Sequence, residues 1–161
     1  MDIRHATADD WAAIYPFWSA IVEARETYVY PLGLGSDEAR PYWMSEPPGA
    51  TVVAVDGEAI LGSAKMGPNK AGPGSHVGTA SFMVAPEAQG RGVGRALGQY
   101  VVDWHRAQGF HSIQFNAVVE TNTVAVRLWK SLGFEVLTTV PEAFDSAAHG
   151  LVGLHIMYQK L

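Results

Sequence analysis

Residues 84–98 read VAPEAQGRGVGRALG, with four glycines and two arginines between a strand-like segment and a helix-like one. A glycine-rich turn at a helix start supports anion binding. Unpaired N–H groups converge there in front of the positive end of the helix dipole, and a phosphate fits them best. Without a Cβ at Gly90, Gly92 and Gly94 the main chain lies open to such a group, and Arg91 and Arg95 can add charge-assisted contacts. A P-loop would carry Gly-Lys-Ser/Thr where this chain has Gly94-Arg95-Ala96. A dinucleotide fingerprint would follow the first strand of a parallel unit, but this stretch follows a hairpin meander. Both fit poorly.

The elements that must position this turn are legible around it. IRHA reads as a short strand, and Thr7 to Asp10 (TADD) as a capping box. Trp11, Ile14, Tyr15, Trp18, Ile21 and Val22 then recur at helical spacing, with Pro16 predicting a kink or a late start. Residues 36–45 predict a second helix capped by Ser36. Residues 51–67 predict a hairpin turning at Asp56-Gly57. Residues 76–84 (HVGTASFMV) and 111–119 (HSIQFNAVV) predict strands on either side of a helix whose apolar face runs from Val93 to Trp104. A last helix ends at Gly133, and residues 134–140 and 150–159 predict the closing strands. The expectation is one domain over residues 1–161, of mixed α/β class, with roughly seven strands and four helices.

Composition narrows the function. The net charge of −5 argues against nucleic acid, so an anionic ligand must be held by a local patch. The absence of cysteine excludes disulfides, thiolate catalysis and cysteine-ligated zinc. The six histidines show no ligand spacing, so no metal is expected. No apolar run is long enough for a membrane span and no secretory signal pattern opens the chain, so a cytoplasmic location is expected.

Gln89-Gly90-Arg91-Gly92-Val93-Gly94 has the form Q-x-x-G-x-G, which resembles the pyrophosphate-binding motif of the GNAT acetyltransferase superfamily. Residues 122–134, NTVAVRLWKSLGF, resemble that family's later motif at a matching distance. The resemblance implies an N-acetyltransferase using acetyl-CoA as co-substrate, on a mostly antiparallel sheet splayed between its fourth and fifth strands. It further implies that the arm of the cofactor pairs with the main chain of Phe82, Met83 and Val84, where a backbone N–H (Val84 foremost) polarises the thioester carbonyl. Asn122 resembles an asparagine that contacts the arm, and it is also a good helix N-cap. Trp129 stands where the family commonly has a tyrosine acid. An indole N–H donates a hydrogen bond but gives up no proton at useful pH, and the ring also suits the helix's apolar face.

A narrower resemblance rests on FNAVVETN, which sets Asn116 six residues before Asn122. It is similar to acetyltransferases acting on proline analogues such as azetidine-2-carboxylate, which makes Asn116 a candidate for substrate binding and catalysis. Tyr28, Tyr30 and Trp43 are candidates to wall an acceptor pocket, and Arg25 or Arg40 to meet an amino-acid carboxylate. Glu120 and His76 are candidate bases, and Thr79 and Ser81 share a strand face from which to order a water. A small amine is the expected acceptor. A protein or peptide amine, a non-catalytic acyl-CoA-binding module and a pure interaction domain are the alternatives. The apolar closing strand makes a homodimer interface possible.

Overall fold

The computed structural model describes all residues, Met1–Leu161. Seven strands form one sheet: β1 (Asp2–His5), β2 (Ala50–Asp56), β3 (Ala59–Pro68), β4 (Val77–Val84), β5 (Ser112–Val119), β6 (Glu135–Ser146) and β7 (Gly150–Lys160). Their order is β1-β2-β3-β4-β5-β7-β6. All neighbours are antiparallel except β4 and β5. Four helices flank it: α1 (Trp11–Glu23), α2 (Ser36–Trp43), α3 (Val93–Ala107) and α4 (Thr123–Ser131).

Local chemistry explains most boundaries. Asp10 accepts the Thr7 N–H at 2.6 Å, closing the capping box over a 3-10 turn that leads into α1. The α-helix begins at Trp11 and runs on through Pro16, so Pro16 does not delay its start. Gly35, not Ser36, caps α2. Glu38 accepts the Gly35 N–H at 2.9 Å, and the Ser36 hydroxyl accepts from Trp11 Nε1 instead. The hairpin turns at Gly57, whose φ of +60° favours glycine. β6 runs past the expected 134–140 to Ser146, through Pro141 and an irregularity between Val140 and Phe144. It lies at the sheet edge, and Pro141 falls inside that irregularity, where no residue pairs with β7, so its missing N–H breaks no ladder bond.

Two apolar clusters meet at the centre. A cluster of 19 buried residues binds α1, α2 and α3 to β2, β3 and β4, with Trp18, Trp43 and Leu97 among its largest members. A second, of 8, joins β5, α4 and β7 around Ile113, Phe115, Trp129 and Met157. Ala80 and Phe82 of β4 pack against both. The sheet is therefore two packed halves hinged on one strand. At the hinge, α3 lays His105 over β4 so closely that a Cβ on Gly78 would sit 2.2 Å from the imidazole. A side chain there would force the helix away.

Candidate active site

β4 and β5 pair only at their beginnings, Val77 with Ser112 and Gly78 with Ile113, and then part. β5 bends as it leaves. Its register against β7 breaks between Phe115 and Val118, which frees Asn116 and Ala117 from the ladder. The result is a cleft of about 820 Å³ between the two halves, lined mainly by apolar side chains.

Parting the strands exposes main chain along β4. Ala85 donates to Leu61 O at 2.9 Å, so by alternation Met83 also turns its main chain toward β3. Phe82 and Val84 turn theirs into the cleft. Met83 thus departs from the expectation: its main chain belongs to the ladder and its side chain to the core. The Tyr28 hydroxyl bridges the main chain of Phe82, accepting its N–H at 2.8 Å and donating to its carbonyl. Val84 has no such partner.

At the C-terminal end of β4 the glycine turn opens onto the same cleft. Gly90 and Gly92 have φ of +76° and +80°, and nothing lies within 4 Å of where a Cβ would sit. These two glycines serve the backbone conformation and leave open space above it. Gly94 serves packing: its missing Cβ admits Leu128 of α4 at 3.3 Å, so its bareness faces the protein. The first main-chain bond of α3 runs from Ala96 to Gly92 at 3.0 Å, which leaves the N–H groups of Val93, Gly94 and Arg95 without main-chain acceptors. Gln89 lines the cleft rim. Arg91 pairs with Asp56 at 2.9 Å and Arg95 with the Ser131 hydroxyl at 2.9 Å, both in the open. The unpaired N–H groups and open space fit a phosphate chain.

Across the cleft, Asn122 caps α4 by accepting from Ala125 N at 3.3 Å, and its Nδ2 bonds nothing in the protein. Trp129 is 6% exposed and packed against the rings of Phe82, at 4.4 Å, and Phe115, at 5.3 Å. Asn116 faces the cleft, where Gln114 and Asn69 fix its amide; the Asn116–Asn69 pair is reciprocal, at 2.6 and 3.2 Å. Asn69 and Gln114 had no distinguishing signal in the sequence.

The other side of the cleft is assembled from distant segments. Tyr28 and Tyr30 stack at 5.3 Å, and Lys65 Nζ lies 5.3 Å from the Tyr30 ring centroid. Behind them Trp43 is wholly buried, its Nε1 donating to Ser63, so it backs the wall and does not line it. The segment carrying the tyrosines is clamped to the β6–β7 turn. Glu26 accepts from the Ser146 hydroxyl at 2.6 Å and from Ala148 N at 2.8 Å, and Arg25 pairs with Asp145. Those bonds, the Ser146 one foremost, hold the Glu26 carboxyl below its usual pKa. Arg25 turns to Asp145 and does not line the cleft, so the structure gives it no place beside a substrate carboxylate. Thr79, Ala80 and Ser81 line both the cleft and a second hollow of about 830 Å³, which also holds Arg40, Lys65, Lys70 and Glu46.

Neither expected base reaches the cleft. Glu120 accepts the Gly153 N–H at 2.6 Å, tying β5 to β7. His76 lies beside His111 at the closed end of the fork.

A sheet parted after two parallel pairs, with main chain exposed along one edge and unpaired N–H groups of a helix start at its mouth, is the architecture of one class of acyl-group transferases. The chain belongs to the acetyltransferase (GNAT) family, whose model matches residues 11–134, and it is an N-acetyltransferase. A GCN5-related N-acetyltransferase from Kribbella flavida is 57% identical, with a TM-score of 0.96 over 99% of this chain and 97% of that one. The protein yncA of Salmonella typhimurium, described with its cofactor acetyl-CoA, is 26% identical, with a TM-score of 0.84 over 100% of this chain and 94% of that one. Among curated proteins, N-acetyltransferase aca1 of Schizosaccharomyces pombe is 26% identical over 151 residues, covering 84% of this chain and 72% of that protein.

Proposed function

We propose that this chain transfers acetyl from acetyl-CoA directly to the amine of a small, amino-acid-like molecule, of the kind that azetidine-2-carboxylate represents. The observation that carries the acceptor class is the charge of the second hollow. Arg40, Lys65 and Lys70 face Glu46 alone there, in a chain of net charge −5, where the hollow joins the cleft at Thr79 to Ser81. Three cations against one acid attract a carboxylate and disfavour a polybasic peptide.

Each residue then has a task. Gly90 and Gly92, with the free N–H groups of Val93, Gly94 and Arg95, hold the pyrophosphate, and Gln89, Arg91 and Arg95 edge it. The free edge of β4 at Val84 receives the arm as an added strand would be received, with Asn122 Nδ2 opposite it; Phe82, whose main chain the Tyr28 hydroxyl already bridges, takes no part in that pairing. The Val84 N–H, which has no partner, stabilises negative charge developing on the acyl oxygen. Trp129 floors the cleft and excludes water. Asn116, its amide fixed by Asn69 and Gln114, orients the acceptor beside Thr79, Tyr28 and Tyr30.

Thiol release from acetyl-CoA tests this against free amino acids, azetidine-2-carboxylate, their methyl esters, polyamines and short peptides. Free acids are expected to turn over with lower KM than their esters. Preference for esters, polyamines or peptides would refute the amino-acid reading, and acetyl-CoA binding without turnover on any acceptor would favour a binding module.

A further inference from the structure

The Tyr28 hydroxyl stands on the exposed edge of β4 in the middle of the cleft, although its ring comes from the segment between α1 and α2. It is the side chain that holds cleft-facing main chain of that edge, and at this spot it both accepts and donates a hydrogen bond. Its ring is fixed by stacking on Tyr30, at 5.3 Å and 11°, and by the edge of Trp43 at 6.2 Å. The Glu26 clamp begins two residues away. Phe82 is two residues from Val84, roughly 7 Å along the strand, on the side where the acceptor hollow opens. Around it the other ring floor, Trp129, has no proton to give, and Glu120 and His76 lie elsewhere.

We infer that Tyr28 is a catalytic residue whose hydroxyl passes the proton from the attacking amine to the departing sulfur. This rests on the acetyl-transfer reading above. The nitrogen lone pair forms the C–N bond and the carbonyl pair moves onto oxygen. As that pair returns, the C–S bond breaks and its electrons go to sulfur. The proton shed by nitrogen goes to the phenol-oxygen lone pair that the Phe82 N–H leaves free, while the phenol proton swings from the Phe82 carbonyl to sulfur, so the products are the amide and the free thiol, with Tyr28 unchanged. Burial pushes the Tyr28 phenol well above its ordinary pKa, which disfavours a lasting tyrosinate and suits a relay that never carries charge.

The test is Tyr28→Phe in the full chain, with acetyl-CoA affinity measured separately from kcat. Hydroxylamine serves as an unspecific acceptor beside the best amino acid. Loss of the relay is expected to lower kcat with both acceptors by about 10²–10⁴-fold while acetyl-CoA affinity holds. An unchanged kcat, or a loss confined to acceptor KM, would overturn the inference and leave Tyr28 a wall. 3-Fluorotyrosine at position 28 keeps the shape and the hydroxyl if the phenylalanine variant folds poorly. A shifted kcat supports the relay, and an unshifted one refutes it. Failure of the amino-acid reading shows only in the wild-type acceptor ranking, whereas failure of the relay shows in the variant ratio with hydroxylamine.

Discussion

The two ends of the cleft are built in different ways. The end we propose for phosphate comes from one continuous stretch, Gln89 to Arg95, and offers main-chain N–H groups whose positions follow from two left-handed glycines and a helix start. The end we propose for the acceptor draws Tyr28 and Tyr30 from one loop, Arg40 from α2, Lys65 from β3, Asn69 and Lys70 from another loop, Thr79 from β4 and Asn116 from β5. It works through side chains held by other side chains. A main-chain site serves the part of a substrate shared by every reaction. A site assembled from side chains can change its acceptor one residue at a time.

Breaking each end should show this difference, and the phosphate end should give the larger effect. Gly92→Ala forces an L side chain to φ +80° at a cost of about 1–2 kcal/mol, with nothing nearby to relieve it. Denaturant melts should show that loss, and acetyl-CoA titration should show weaker binding that is the same for every acceptor. If the loss varied with the acceptor, the two ends would not be independent.

A change remote from both ends gives the control. Asp10→Asn removes the carboxylate that takes the Thr7 N–H and forks to Arg4 at 2.7 and 2.8 Å, costing about 0.5–2 kcal/mol through the cap while acetyl-CoA affinity holds. The Arg4 hydrogen bond, foremost, holds the Asp10 carboxyl well below the ordinary range. The unfolded chain therefore binds that proton first, and the Asp10 contribution, intact at neutral pH, is lost as pH falls below about 4. His105 adds to this at higher pH. Its Nδ1–H donates to Val101 O at 2.8 Å, its Nε2 is buried without a partner, and burial lowers its pKa. Stability should therefore already decline below about pH 6.5, and His105→Gln should remove that early decline from an acid titration of the melting temperature.

The smallest effect belongs to the acceptor end. Arg40→Ala and Lys70→Ala, both exposed, should each raise KM for a carboxylate-bearing acceptor by up to about fivefold and leave kcat alone. The same variants should not change KM for the methyl ester, and equal effects on acid and ester would remove the electrostatic argument.

Legibility in the sequence followed the same division. The hairpin at Gly57, the cap at Asn122, the stop at Gly133 and the glycine turn were all readable, because each depends on the conformational preference of one residue and its near neighbours. Arg25 and Trp43 were misplaced for the opposite reason. Both have the chemistry of a pocket, but Asp145, 120 residues away, claims the first and Ser63 in the core claims the second. The length of β6 was hidden by Pro141, which reads as a strand breaker until the strand is known to lie at an edge.

The sequence by itself determined the class of the sheet, the glycine turn and the family, since these rest on periodicity, motif and local backbone geometry. Only the tertiary structure decided that Tyr28 reaches β4, that Asn69 locks Asn116, and that three cations share a hollow with one acid. Those contacts join residues far apart in the chain. They exist because two separately packed halves meet along one strand and part from it after two residue pairs.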